Sequence, residues 1–106
     1  MYEYQLTIGL FDKDSCTQKI TAQEAEAIIS EALLNRYDIY AYTMIMCSGH
    51  YKMADGRMVK EPSIRIEIAD ENDISGTIRA VVCYLKMALN QESIMVKAMQ
   101  SNISFI

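Results

Sequence analysis

The 106-residue chain has no tryptophan, one proline, four glycines and one histidine. So few prolines and glycines exclude linkers and low-complexity tracts. There is no cationic excess either: Lys and Arg total 10 against 14 for Asp and Glu, a net charge of -4. Nucleic-acid binders carry a basic excess that releases counterions from phosphates, so no long nucleic acid is expected as a partner. No stretch approaches 18 uninterrupted apolar residues, which argues against a membrane-spanning helix. Cys16, Cys47 and Cys83 form no Cys-x-x-Cys pair and read as reduced, partly buried thiols. A single histidine cannot build a multi-histidine metal centre. No Gly-x-Gly-x-x-Gly and no Walker-type loop occurs. No metal, cofactor or catalytic residue is therefore expected.

What is present is a globular composition, 51% hydrophobic and 23% charged, of a size that suits one domain over residues 1–106. Residues 2–11 alternate, with Tyr2, Tyr4, Leu6, Ile8 and Leu10 on one side, and predict a half-buried strand. Thr21-Ala22-Gln23-Glu24 is a capping box opening a helix, which the spacing of Ala25, Ile28, Ile29, Ala32 and Leu33 carries to about residue 35. Residues 38–49 predict a second strand and 58–68 a third, joined through the hairpin signal Asp55-Gly56. Pro62 predicts a bulge or an unpaired start in the third strand. Gly9, alone in the first, predicts a bulge or a close backbone approach. Asp70 to Asp73 supply the cap of a second helix, with Ile74, Ile78, Val81, Val82, Leu85, Ala88 and Leu89 as its apolar stripe. Residues 93–99 predict a fourth strand and Ile103–Ile106 a short final one.

That order gives an α+β, ferredoxin-like β-α-β-β-α-β antiparallel sheet, with both helices on one face and a short extra C-terminal strand. Strands one and three are expected in the centre. An α+β sandwich with another strand order is the alternative.

The uncovered sheet face then carries Glu3, Gln5 and Thr7 from strand one and Ser63, Arg65 and Glu67 from strand three. Strand two is apolar on both sides: Ile39, Ala41, Thr43, Ile45 and Cys47 on one, Tyr40, Tyr42, Met44 and Met46 on the other. A strand apolar on both faces is usually covered on both, so a homo-oligomer, dimer or higher, is expected. Tyr40, Tyr42 and Arg65 suggest a stacking platform with a cation for a small anionic or nucleotide-like ligand. The candidate ligand or partner site is thus Thr7, Tyr40, Tyr42, Met44, His50, Arg65 and Glu67. His50 lies three residues from Cys47, and alternation puts the two on opposite faces, which argues against a local Cys-His pair. Asp70-x-Asn72 and Asp12-x-Asp14 fail as calcium loops, lacking the loop glycine.

The stretches LTIGLFDKD at 6–14, IRIEIAD at 64–70 and ALNQESIMV at 88–96 together resemble short, uncharacterised ferredoxin-like proteins of bacteria and their phages. The resemblance carries no catalytic residues with it. Small acidic phage proteins often inhibit host defence, so it implies a non-catalytic counter-defence factor that sequesters a nucleotide-like signal or blocks a host protein. The location implied is cytoplasmic, the host's own if phage-encoded, and the opening residues show no secretory signal pattern. The alternatives are a small dimeric ferredoxin-like enzyme with a pocket on the open face, whose polar groups would be Thr7, Glu67 and His50, and a purely structural oligomerisation protein.

Overall fold

A computed structural model describes residues 1–106. Its elements are β1 (Tyr2–Gly9), α1 (Ala22–Glu31) running on into a π-helical turn (Ala32–Arg36), β2 (Thr43–Lys52), β3 (Met58–Asp70), α2 (Ser75–Ala88) and β4 (Met95–Gln100). The sheet is antiparallel in the order β2-β3-β1-β4. This is the α+β ferredoxin-like arrangement, with β1 and β3 central.

The capping box forms as its residue types require. The Thr21 hydroxyl accepts from the Glu24 N–H at 3.1 Å, and the Glu24 carboxylate accepts from the Thr21 N–H at 3.3 Å. The Asp55-Gly56 turn closes the β2–β3 hairpin, and Gly56 takes the positive φ of 88° that its missing Cβ permits. Tyr4, Leu6 and Ile8 of β1 and Ile64, Ile66 and Ile68 of β3 share one buried cluster with Ala25, Ile29 and Leu33 of the first helical segment and Ile78, Val81 and Leu85 of α2. Both helices therefore lie on one face of the sheet. The other face carries the odd-numbered residues of β1 and β3.

Four expectations are corrected. β2 begins at Thr43, so Tyr40 and Tyr42 belong to the connection before it, where Asp38 turns the backbone at φ 54°. Residues Ile103–Ile106 form no strand. β3 runs through Pro62 in unbroken register, with Pro62 opposite Ser48, so there is no bulge there. The N-cap position of α2 is Ile74, without a side-chain cap of its own. Asp73 acts instead, its Oδ1 accepting from the Ser75 N–H at 3.0 Å and from the buried Tyr4 hydroxyl at 3.1 Å. Gly9 is a close approach, because a Cβ there would meet the Glu61 carboxylate. That carboxylate accepts the Phe11 N–H at 2.8 Å.

The exit of β1 is tied to the end of α2. Asn90, at φ 49°, donates from its amide to Asp12 at 2.6 Å and to Asp14 at 2.9 Å. The Asn90 bond to Asp12, and the N–H of Ser75 on Asp73, hold these two carboxyls below the usual carboxylate range. A carboxyl whose folded pKa is depressed stabilises fully above its unfolded value and loses that contribution as pH falls through the folded one. The urea midpoint is therefore expected to drop between about pH 5 and about pH 2, and less so in a variant carrying Asp12→Asn and Asp73→Asn. An equal drop in both proteins would contradict these roles.

Candidate functional site

The strand register maps the open face rung by rung. One rung runs Thr43, Glu67, Gln5, Lys97; the next runs Ile45, Arg65, Thr7, Met95. Residues two apart on a strand share a face, so Glu3 and Ala69 continue the array at one end and Gly9 and Ser63 at the other. The centre is polar, with apolar Ile45 and Met95 at its margins. Its charged groups do not neutralise one another: the ion pairs of the chain are Arg36–Glu31 and Arg57–Asp55, neither on this face. No ion pair joins Arg65 to Glu67.

At the end where β2 begins lies a hollow of about 730 Å³, within the range of small-molecule sites. Glu3, Tyr40, Tyr42, Thr43, Glu67 and Phe105 help to line it. Three segments far apart in sequence build it. The β1 and β3 strands supply Glu3 and Glu67. The connection from the π-helical turn supplies the tyrosines, and Ile39 at its middle is buried and anchors it. The C-terminal segment is held down where the Ser101 hydroxyl donates to Glu3 at 2.8 Å and the Ser101 N–H donates to the Met1 carbonyl at 2.9 Å. It brings Ile103 and Phe105 to the rim. Tyr42 packs partly against the core. Tyr40 is 74% exposed and donates to Asp38 at 2.9 Å, a bond that holds its phenol above the ordinary value.

The structure thus gathers Tyr40, Tyr42 and Glu67 of the expected site, and puts Arg65 and Thr7 side by side on the neighbouring rung. It does not gather Met44 or His50. Met44 stands opposite Ile66 and packs against the core on the helix side. His50 stands opposite Lys60, far along the hairpin. It lines a second hollow of about 580 Å³ that also includes Thr7, Gly9, Tyr51 and Glu61. Thr7 and His50 thus share one hollow while Glu67 lines the other, so the three do not meet in a single hollow of one chain. Glu3 and Phe105 are among the lining residues that strand alternation did not single out as ligand contacts. The three cysteines are free, with Cys16 and Cys83 exposed and Cys47 half-buried. No group of three or more His, Cys, Asp or Glu side chains could hold a metal ion, and no helix is long and apolar enough to cross a membrane.

No family model matches the chain, and no curated protein does. Solved structures do. A phage SAM lyase in complex with S-methyl-5'-thioadenosine superposes with a TM-score of 0.69 at 22% identity, over 93% of this chain and 80% of that one. A phage SAM lyase in its apo state gives 0.72 at 20% identity, over 92% and 78%. At this identity the likeness establishes the fold. These neighbours are phage proteins, as the resemblance implied, but they are a named enzyme and not the uncharacterised family. They overturn the expectation of a non-catalytic counter-defence binder: the matched fold is that of an enzyme, and the enzyme alternative is the one they favour.

Proposed function

We propose that this chain is a lyase acting on S-adenosylmethionine or a close sulfonium nucleoside, with its site in the hollow at Glu3 and Glu67. The observation that carries the reading is the chemistry of that hollow, two carboxylates among aromatic rings, in a fold whose solved counterpart holds S-methyl-5'-thioadenosine. An adenine has a π-face for Tyr42 and Phe105. A sulfonium is attracted to the same rings. Ribose hydroxyls and an ammonium group suit carboxylates.

S-methyl-5'-thioadenosine is S-adenosylmethionine without its aminobutyryl arm, so the bond that breaks joins sulfur to the γ-carbon. The bonding pair stays on sulfur, which becomes neutral. The four-carbon remnant satisfies its γ-carbon internally, by its own carboxylate or by loss of a neighbouring proton. Cleavage discharges the sulfonium, so a carboxylate pressed against it would favour the substrate over the transition state. Glu67 serves better on the arm, holding its ammonium or taking its proton, while the neutral rings hold the sulfur.

The same reading keeps two earlier expectations. The chain works as a homo-oligomer that covers the exposed Ile45 and Met95, and it acts in the cytoplasm. Native mass spectrometry with added S-methyl-5'-thioadenosine is expected to show an oligomer carrying one ligand mass per site. Tyr42→Ala is expected to weaken that ligand about 10- to 100-fold, the worth of one base-stacking ring. A clean monomer would remove the oligomer, and absence of the ligand mass would remove the site.

A further inference from the structure

Arg65 is the unexplained group of the open face. It is half-buried at the centre of the sheet, opposite Thr7 on one side and Ile45 on the other. Every other arginine has an evident place. Arg36 pairs with Glu31 at 3.4 Å and lies 4.3 Å over the Tyr84 ring. Arg57 pairs with Asp55 at 3.8 Å, and Arg79 is out in solvent on α2. Arg65 has no acidic partner within 4.0 Å. None of the side-chain hydrogen bonds of the chain involves its guanidinium, although Glu67, the next residue on the same strand face, is acidic. The donors of Arg65 are thus unused by the chain.

A guanidinium presents its N–H groups in a plane that matches a carboxylate bidentately. Thr7, directly across from it, adds a hydroxyl that can donate. Arg65 and Glu67 lie one rung apart, about 7 Å along the strand, with Glu67 inside the hollow and Arg65 just beyond it. That is a cation and an anion in line, leading away from the aromatic end. The ligand that fits such a line has a nucleoside at one end and a zwitterionic amino-acid head at the other, joined by a short carbon arm.

We propose that Arg65, assisted by Thr7, is the specificity-determining residue that binds the α-carboxylate of the substrate's amino-acid arm. The assignment rests on the lyase reading above and deepens it: the substrate class is the amino-acid-bearing nucleoside, and its decarboxylated counterpart is discriminated against. Arg65 fixes the arm at its far end, so the arm's ammonium comes to rest beside Glu67 and the sulfur among the rings. Lys97, the other cation of these rungs, stands on the edge strand opposite Gln5. It is exposed and is a compact point charge without the planar fork.

The test compares two unreactive ligands by calorimetry. S-adenosylhomocysteine carries the arm and its carboxylate; S-methyl-5'-thioadenosine carries neither. In Arg65→Ala, S-adenosylhomocysteine is expected to bind about 10- to 100-fold more weakly, the loss of charge-assisted hydrogen bonds to a carboxylate. S-methyl-5'-thioadenosine is expected to bind as it does to wild type, which also shows that the variant is folded. Arg65→Lys keeps the charge without the fork and is expected to fall between the two. Equal weakening of both ligands, or of neither, would overturn the assignment while leaving the lyase reading standing. Failure of wild type to bind either ligand would overturn both. In turnover, Arg65→Ala is expected to raise KM for S-adenosylmethionine and to leave inhibition by its decarboxylated form unchanged; a fall in kcat with KM and that inhibition both unchanged would contradict a role in recognition.

Discussion

Glu67→Gln is expected to lower turnover of S-adenosylmethionine about 10²- to 10⁴-fold, the range lost with a positioned acid or base, while the variant still binds S-methyl-5'-thioadenosine. The amide keeps the shape of the carboxylate and most of its hydrogen bonding. It removes the charge that orients an ammonium and the basicity that takes a proton. The Glu67 carboxylate makes no hydrogen bond or ion pair with the rest of the chain, so the exchange leaves no buried partner stranded and the fold is expected to be unaffected. Glu3 is the contrasting case, because its carboxylate already accepts from Ser101 at 2.8 Å. Glu3→Gln is expected to act mainly through the C-terminal segment and the Phe105 rim. Full activity in Glu67→Gln would move the chemistry elsewhere on the face.

The second large effect is on stability. Ile66 is fully buried and stands between Leu6 of β1 and Met44 of β2, on the face that both helices cover. Ile66→Ala deletes buried methyl groups and leaves a cavity in a packed layer, which costs about 2–5 kcal/mol. Small domains are stable by about 5–15 kcal/mol in total, so the urea midpoint is expected to fall by a large fraction. The variant should remain foldable in the absence of denaturant. An unchanged midpoint would mean that the core is looser than its burial indicates. Met44 opposite it is only half-buried, and its exchange for Leu is expected to cost little.

The difference between these two residues shows what the sequence disclosed. Strict alternation in Tyr4, Leu6 and Ile8, and in Ile64, Ile66 and Ile68, names the buried face, and the order of elements points to the fold, with the strand order β2-β3-β1-β4 settling it against a sandwich of another order. The Thr21 capping box and the Asp55-Gly56 turn are local chemistry and are read from a few adjacent residues. Around β2 that logic fails for a physical reason. Both of its alternating sets are apolar, so composition cannot say which set meets the helices. Only the register, with Met44 opposite Ile66 and Thr43 opposite Glu67, decides it. Tyr40 and Tyr42 look like strand residues, but the turn at Asp38 keeps them in the approach to the strand. The C-terminal Ile103 and Phe105 alternate as a strand would, yet the chain has left the sheet by then and they line the hollow instead.

The site itself was half legible. That Glu67, Arg65 and Thr7 share the open face follows from the alternation of two well-marked strands. Glu3 sits on the same face, but its role in the hollow depends on the clasp with Ser101, a contact across nearly the whole chain that no local pattern contains. The lack of a histidine-centred site reads as absence of catalysis only if catalysis needs an activated nucleophile. Breaking a carbon–sulfonium bond does not: the leaving group departs as a neutral thioether, so binding and orientation carry most of the work.

Turnover of S-adenosylmethionine is tested most directly by one time course. Purified protein is incubated with a large excess of S-adenosylmethionine, quenched by denaturation and resolved by chromatography with mass detection. Lyase action predicts S-methyl-5'-thioadenosine in amounts exceeding the protein many times over, rising with time and nearly absent in Glu67→Gln. Recovery of unchanged S-adenosylmethionine, whether free or released from the denatured protein, would contradict it.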